Sequence, residues 1–378
     1  MSTRRPDESD VRIRPGKRSS RPRTKQRPEH ADAESAMVTG VDRGRYTLLV
    51  DPDGPGERRA VAMKARELGR ERVVPGDLVD VVGDTSGEPG SLSRIVRITE
   101  RRTVLRRTAD DTDPVERVIV ANADQLVIVT ALADPEPRTR MIDRCVVAGV
   151  DAGMHVLLAL TKADLADPAE LVAMYEPIGV DVVVTRRDAD GRWVGLEDVR
   201  RALAGRTSVL VGHSGVGKST LVNALVPDAF RSVGIVNDVT GRGRHTSTSA
   251  VALRMPPSPA AAPSPGEGEG DVPAGEDAAL PGGWVIDTPG VRSFGLAHVQ
   301  VANLLAPFGD LARVADECPR GCTHTDGSPD CELDEWVTAA ADEETRAARA
   351  ARVRSFRRLL ASRTGVPTPG EGAERESR

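Results

Sequence analysis

The sequence predicts three successive folded parts: a small five-stranded β-barrel, a doubly wound α/β domain with a phosphate-binding loop, and a short α-rich part closed around metal. Three observations predict this. From Met37 the chain reads as short strands broken at Asp42-Arg43-Gly44, Pro52-Asp53-Gly54 and Pro75-Gly76. Beyond residue 114 the style changes to continuous apolar strands alternating with helical stretches, one strand ending in a glycine loop. Three of the four cysteines then cluster with a histidine between Cys318 and Cys331.

At 378 residues the chain is long enough for about two or three domains with substantial cores. Its mild net charge of −5 hides an uneven distribution, since residues 1–27 carry ten Arg and Lys against Asp7, Glu8 and Asp10. With almost no large apolar residue, segment 1–36 is expected to be a disordered basic arm. No run of about 18 apolar residues occurs, so no membrane span is expected, and the N-terminus lacks the apolar stretch of a secretory signal. Four cysteines in so long a chain do not make a disulfide scaffold, and their clustering suits a reducing cytoplasm.

The barrel is expected over residues 37–103. Strands are read at 38–41, 46–50, 59–62, 77–82 and 93–98, a pattern that fits an OB-fold, a barrel type that often binds RNA. Tyr46 is its only aromatic residue, so a base-stacking platform is not predicted, whereas arginines such as Arg43, Arg45, Arg58 and Arg59 suit a phosphate backbone. The polar stretch from Arg101 to Asp113 reads as a linker.

An α/β domain follows over 114–306. Strands are expected at 125–130, 155–160, 180–184 and from Ser208, with helices at 140–150, 170–175 and 196–203. Cys145 falls on the apolar face of its helix and reads as core. Gly212-His213-Ser214-Gly215-Val216-Gly217-Lys218-Ser219, with Thr220 opening the next helical run, has the G-x-x-x-x-G-K-S form between a strand and a helix. The glycines let backbone N–H groups face phosphate oxygens at a helix N-terminus. Lys218 suits the β- and γ-phosphates and Ser219 suits Mg²⁺.

Thr161-Lys162-Ala163-Asp164 ends an earlier strand in the form [N/T]-K-x-D. The Asp164 carboxylate suits the guanine N1–H and amino group, the Lys162 stem suits the face of the base, and Thr161 stands where Asn is usual. Asp287-Thr288-Pro289-Gly290 ends a later strand, Asp287 suiting water-bound Mg²⁺ and the Gly290 N–H the γ-phosphate. Between them lies Gly241-Arg242-Gly243-Arg244-His245-Thr246-Ser247-Thr248, a glycine-flanked switch segment whose Thr246, Ser247 or Thr248 can ligate Mg²⁺. Val291 occupies the place of a water-orienting Gln, which leaves His245 as the nearest polar candidate for positioning the attacking water. The order is base motif, phosphate loop, switch, D-T-P-G. That order implies a circularly permuted GTPase domain using GTP with Mg²⁺. Residues 256–282, rich in Pro, Gly, Ala and Glu, are expected to be a disordered insertion.

Over 307–363, Cys318, Cys322, His324 and Cys331 supply three thiolates and an imidazole, a closed tetrahedral set that suits one structural Zn²⁺ per chain. A helix is expected from Thr338 to Leu360, with Val353, Phe356, Leu359 and Leu360 as a docking face, and the tail 364–378 is expected to be disordered.

Taken in order, T-K-A-D, G-H-S-G-V-G-K-S-T-L-V-N, G-R-G-R-H-T-S-T, D-T-P-G-V and the Cys/His cluster resemble the circularly permuted ribosome small-subunit-dependent GTPase A family. The resemblance covers about residues 37–363. It implies an OB-fold, a permuted GTPase domain and a zinc domain, in a cytoplasmic, monomeric factor. It also implies GTP hydrolysis to GDP, stimulated by the 30S subunit and its 16S rRNA late in that subunit's maturation.

Overall fold

The computed structural model describes residues 30–108, 115–227, 229, 250–258, 280–289, 295–296, 298–299, 301–305 and 308–364. The described residues from Ala33 onward form one compact unit. The bulk of the basic arm, insertion residues 259–279 and the tail from 365 lie outside the described residues.

The barrel is built from β1 (Glu34–Asp42), β2 (Arg45–Val50), β3 (Arg58–Lys64), β4 (Leu78–Gly83) and β5 (Ser93–Ile98). Neighbours run β1-β2-β3-β5-β4, and β4 pairs back onto β1, so the barrel closes. Alternation explains the interior: Tyr46, Leu48 and Val50 point inward with Ala36, Ala60, Ala62, Val79, Val81 and Ile95. Tyr46 is therefore core. The first strand begins at Glu34, inside the stretch read as arm, because Glu34, Ser35 and Ala36 ladder with Val81, Asp80 and Val79.

The stretch read as a linker contains β6 (Val104–Arg107), which pairs with β7 (Arg117–Ala121). One fully buried side chain, Leu105, anchors it among arginines that masked the strand in the sequence. There follow β8 (Gln125–Ala131), α1 (Thr139–Asp151), β9 (His155–Thr161), α2 (Ala169–Tyr175), β10 (Asp181–Val184), the small hairpin β11 (Arg186–Arg187) and β12 (Trp193–Val194), α3 (Leu196–Leu203), β13 (Thr207–Gly212) and α4 (Lys218–Leu225). Next come β14 (Val251–Met255) and β15 (Gly283–Asp287). The strand order is β10-β9-β8-β13-β15-β14, parallel except for β14.

Every residue of β8 is buried, as a strand covered on both faces must be. On one face Leu126, Ile128 and Leu158 meet Ile142, Cys145 and Val146 of α1. On the other, Val127, Val129 and Leu157 meet Val199 and Leu203 of α3 and Leu221 and Leu225 of α4. Cys145 is fully buried, and desolvation pushes its thiol up to about 12. The sheet does not stop at β14: Val251 pairs with Gly40 of β1, which carries the hydrogen-bonded surface straight into the barrel.

The C-terminal part comprises α5 (Val301–Leu305), α6 (Gly309–Ala315), α7 (Glu332–Thr338) and α8 (Glu343–Thr364). The helix expected from Thr338 begins instead at Glu343, since α7 ends at Thr338. Asp342 accepts the Thr345 N–H at 2.7 Å and its hydroxyl at 3.0 Å, a local cap that starts α8 afresh. Val353, Phe356, Leu359 and Leu360 are buried in the cluster that includes α1, as the docking face required. Polar contacts lock the same interface: Arg358 donates to the buried Asp143 at 3.0 and 3.1 Å, and the Tyr175 hydroxyl donates to Asp143 at 2.9 Å. Among the described residues no helix is long and apolar enough to cross a membrane.

Candidate nucleotide site and metal centre

The phosphate loop joins β13 to α4 at the C-terminal edge of the parallel sheet, where ligands of open α/β sheets bind. Its close packing demands glycine. A Cβ on Gly212 would lie 2.6 Å from the Val129 carbonyl oxygen, and Gly217 combines a φ of +87° with a position against Thr161. Ser219 and Thr220 are exposed at the head of α4, and His213 lies alongside the loop, its Nδ1 3.0 Å from the Ser214 carbonyl oxygen.

Lys218 is buried. Its ammonium donates to the Asp287 carboxylate and, at 2.6 Å, to the Thr288 carbonyl. The phosphate-loop lysine and the D-T-P-G aspartate therefore face each other across neighbouring strands. Thr288 fixes this arrangement, its fully buried hydroxyl donating to the Leu210 carbonyl of β13 at 2.6 Å.

The T-K-A-D turn follows β9 on the same edge. Thr161 is buried and its hydroxyl donates to the Val216 carbonyl of the phosphate loop at 2.7 Å, with the Thr130 carbonyl at 3.3 Å. Thr161 thus ties the base-side turn to the phosphate-side loop. Lys162 has a positive φ of 58° and donates to the Asp134 carbonyl of the β8–α1 connection. Ala163 donates its N–H to the Thr185 carbonyl at 3.2 Å, and Asp164 projects exposed from the turn. The structure brings Thr161, Lys162, Ala163 and Asp164 beside Gly212–Ser219, with Asp287 on the far side of Lys218. His245, Thr246, Ser247, Thr248, Gly290 and Val291 lie outside the described residues.

In the C-terminal part, ligand atoms of Cys318, Cys322, His324 and Cys331 all lie within 4.8 Å of one another. A tetrahedral ion with sulfur bonds of about 2.3 Å holds its ligands about 3.8 Å apart, so a small contraction closes the set. Cys318 Sγ is 3.5 Å from His324 Nδ1 and Cys331 Sγ is 4.0 Å from it. Burial, and then the Arg357 charge, lower the His324 imidazole from its ordinary 6.5, which favours the neutral form that binds metal. Arg357 braces the cluster: it donates to Cys331 Sγ at 3.7 Å, to the His324 carbonyl at 3.0 Å, and through a fork to both Asp334 oxygens at 2.7 Å. These residues fit a metal ion.

Comparison with known proteins places this geometry. Residues 98–272 match the RsgA GTPase family profile. The small ribosomal subunit biogenesis GTPase RsgA of Chlorobaculum parvum is 32% identical over 302 residues, covering 77% of this chain and 88% of that protein. The chain belongs to the RsgA GTPase family. The RsgA protein of Alcanivorax borkumensis is also 32% identical, over 80% of this chain and 78% of that one. Two solved structures share the fold. YjeQ from Thermotoga maritima has a TM-score of 0.53 at 23% identity, over 87% of this chain and 99% of that one. YloQ, a circularly permuted GTPase, has a TM-score of 0.55 at 20% identity, over 90% of this chain and 98% of that one.

As a member of the RsgA GTPase family the chain is a GTP hydrolase with a closed barrel, a permuted α/β domain and a Cys/His cluster. Two contributors to its site, Thr185 and Arg357, escaped the sequence reading, and a third, Thr288, was read only as part of D-T-P-G. Thr185 follows β10 and accepts the Ala163 N–H, Thr288 ties D-T-P-G to β13, and Arg357 backs the cysteines. A lone Thr or Arg carries no signal in sequence, because its role is fixed by strands and helices distant along the chain.

Proposed function

We propose that this chain uses GTP hydrolysis to time its attachment to, and release from, small ribosomal subunits late in their maturation. One observation carries the reading: the nucleotide sheet and the barrel are one hydrogen-bonded surface, joined at Val251 and Gly40 beside the strand that ends in Asp287. A change at the D-T-P-G end therefore has a short route to a barrel type that binds oligonucleotides. The partner follows from the relatives, which carry the name small ribosomal subunit biogenesis GTPase.

The roles assigned to residues belong to the same proposal. Asp164 reads guanine and Lys162 lines the base. Gly212, His213, Ser214, Gly215, Val216, Gly217, Lys218, Ser219 and Thr220 cradle the phosphates, with the Gly290 N–H at the γ end. Ser219, with Thr246 or Ser247, would hold Mg²⁺, and Asp287 would reach it through water. That ion supplies charge neutralisation on the phosphate oxygens. His245 orients the attacking water once the Gly241–Thr248 segment is ordered. Cys318, Cys322, His324 and Cys331 hold one structural Zn²⁺. The working division is a barrel from Glu34 to residue 103, a nucleotide domain over 114–306 and a metal-bound part over 307–363, in a cytoplasmic monomer that contacts 16S rRNA.

Multiple-turnover phosphate release, with and without purified 30S subunits at low salt, tests the proposal. Free protein is expected to turn over slowly and subunits to accelerate it by about 10³-fold, the scale of a supplied catalytic arrangement. An unchanged rate would refute the ribosomal coupling. His245→Ala is expected to remove most of the acceleration while leaving GTP affinity nearly unchanged; full stimulation in that variant would remove His245 from catalysis and leave the partner standing.

A further inference from the structure

A polar clamp joins the barrel to the nucleotide sheet, and nothing in the hydrolytic site requires it. Arg254 stands on β14 directly across from Trp284 on β15. Its guanidinium lies over the Trp284 ring, 4.9 Å from the centroid. From there it donates to Glu57 Oε1 at 3.0 Å, Glu57 Oε2 at 2.6 Å and Asp53 Oδ1 at 2.9 Å. Both carboxylates belong to the connection between β2 and β3 of the barrel. That connection is preset for the clamp, since the Asp53 N–H donates to Glu57 Oε2 at 3.0 Å. The planar fork matches the Glu57 carboxylate in a way that an ammonium cannot.

The surroundings give the clamp something to control. A cleft of about 310 Å³ separates Thr47, Leu49 and Arg59 of the barrel from Val251, Leu253 and Trp284 of the nucleotide sheet. Beside this cleft, β1 and β14 share one ladder pair, Gly40 with Val251. The clamp spans the two walls where there is room for them to move. Its strand is also next to the one that carries Asp287. β14 begins at Val251, three residues after Thr248 in the sequence, and ladders along β15 up to Asp287, the partner of Lys218.

We propose that Arg254 is a positioning residue that passes nucleotide state from β14 and β15 to the barrel connection bearing Asp53 and Glu57. The inference rests on the nucleotide reading above and not on the ribosomal partner. When GTP reorganises the D-T-P-G end, β15 and β14 shift together, and the clamp converts that shift into a reorientation of the barrel connection.

The test is hydrogen exchange of the full-length protein bound to GDP or to a non-hydrolysable GTP analogue, read at the amides of Asp53, Gly54, Gly56 and Glu57. Wild-type protein is expected to show about a fivefold difference between the two nucleotides, the lower end of ordinary coupling between sites. Arg254→Glu should abolish the difference while both nucleotides still bind, and Arg254→Glu combined with Glu57→Arg should restore it. Equal exchange with both nucleotides in the wild type, or a difference that survives Arg254→Glu, overturns the proposal. Phosphate release with 30S subunits, run on the same wild-type preparation, separates the two ideas. Absence of stimulation there removes the ribosomal reading and leaves the exchange result standing.

Discussion

Replacing Thr161 with valine removes one hydroxyl and keeps the side-chain shape. In the folded protein that hydroxyl is buried and donates to the Val216 carbonyl at 2.7 Å, with the Thr130 carbonyl at 3.3 Å. It has a single proton, so the shorter bond carries the effect. Losing a neutral hydrogen bond costs about 0.5–1.5 kcal/mol, and stranding a buried acceptor raises the cost to about 1–3 kcal/mol. The bond joins the base-side turn to the phosphate loop, so its loss should loosen both halves of the nucleotide site together. We expect Thr161→Val to weaken GDP and GTP by a similar factor of about ten, which corresponds to about 1.4 kcal/mol. Titration with fluorescent GDP and GTP derivatives gives the affinities, and denaturant unfolding gives the stability change. Unaltered affinity for both nucleotides would refute the bracing role. A loss confined to one of them would also refute it, because the bond touches neither the base nor the γ-phosphate.

Three further outcomes follow from particular contacts. Asp164→Asn should weaken GTP and favour xanthosine triphosphate, because sites that hydrogen-bond a substrate N–H reject analogues by about 10⁴-fold or more; competition titrations showing equal loss of both would remove Asp164 as the guanine reader. Elemental analysis should find one zinc per chain, and Cys322→Ser should lower that ratio and speed proteolysis of the C-terminal helices while nucleotide still binds; zinc-free wild-type protein purified without chelator would refute the site. Burial is the largest single influence on the Asp310 carboxylate and would raise its pKa, yet the hydrogen bond and charge of Arg352, together with backbone N–H donors at Asp310 and Leu311, outweigh it and hold the group below its ordinary 3.8. A carboxyl lowered in the folded state adds stability that is complete above its unfolded pKa and disappears as pH falls through its folded one. Asp310→Asn should therefore cost about 1 kcal/mol at pH 7 and nothing once pH falls well below 3.8; a cost that does not change with pH would show that the pair contributes only shape.

The parts legible in the sequence were those where chemistry or burial restricts residue choice over consecutive positions. Gly215 and Gly217 adopt a φ of +87° because the phosphate loop must turn its N–H groups inward. β8 and β9 read as unbroken apolar runs because helices cover both their faces. The cysteine cluster was visible because its ligands lie within a short stretch. What stayed hidden depends on one residue or on distant pairing. β6 is held by Leu105 alone among arginines, and Glu34 and Ser35 are strand only because β4 closes the barrel beside them. The break before α8 was written in Asp342, whose cap competes with continuing the helix. Arg254 meets Asp53 and Glu57 across most of the chain, a contact that no local pattern announces.

The sheet order gives the permuted topology a consequence for biosynthesis. β8, β9 and β10 emerge first and form one lobe, whose β8 edge stays open until β13 is made. The base-side turn sits on this early lobe, and the phosphate loop belongs to the late one. A growing chain therefore cannot hold a nucleotide across both lobes before β13 has joined β8, and the Lys218–Asp287 pairing waits for β15 as well. With the site residues as proposed above, a guanine nucleotide bound to both lobes would act as a rivet across the β8–β13 seam. Such a ligand would favour the closed arrangement over an open-edged precursor exposed to aggregation.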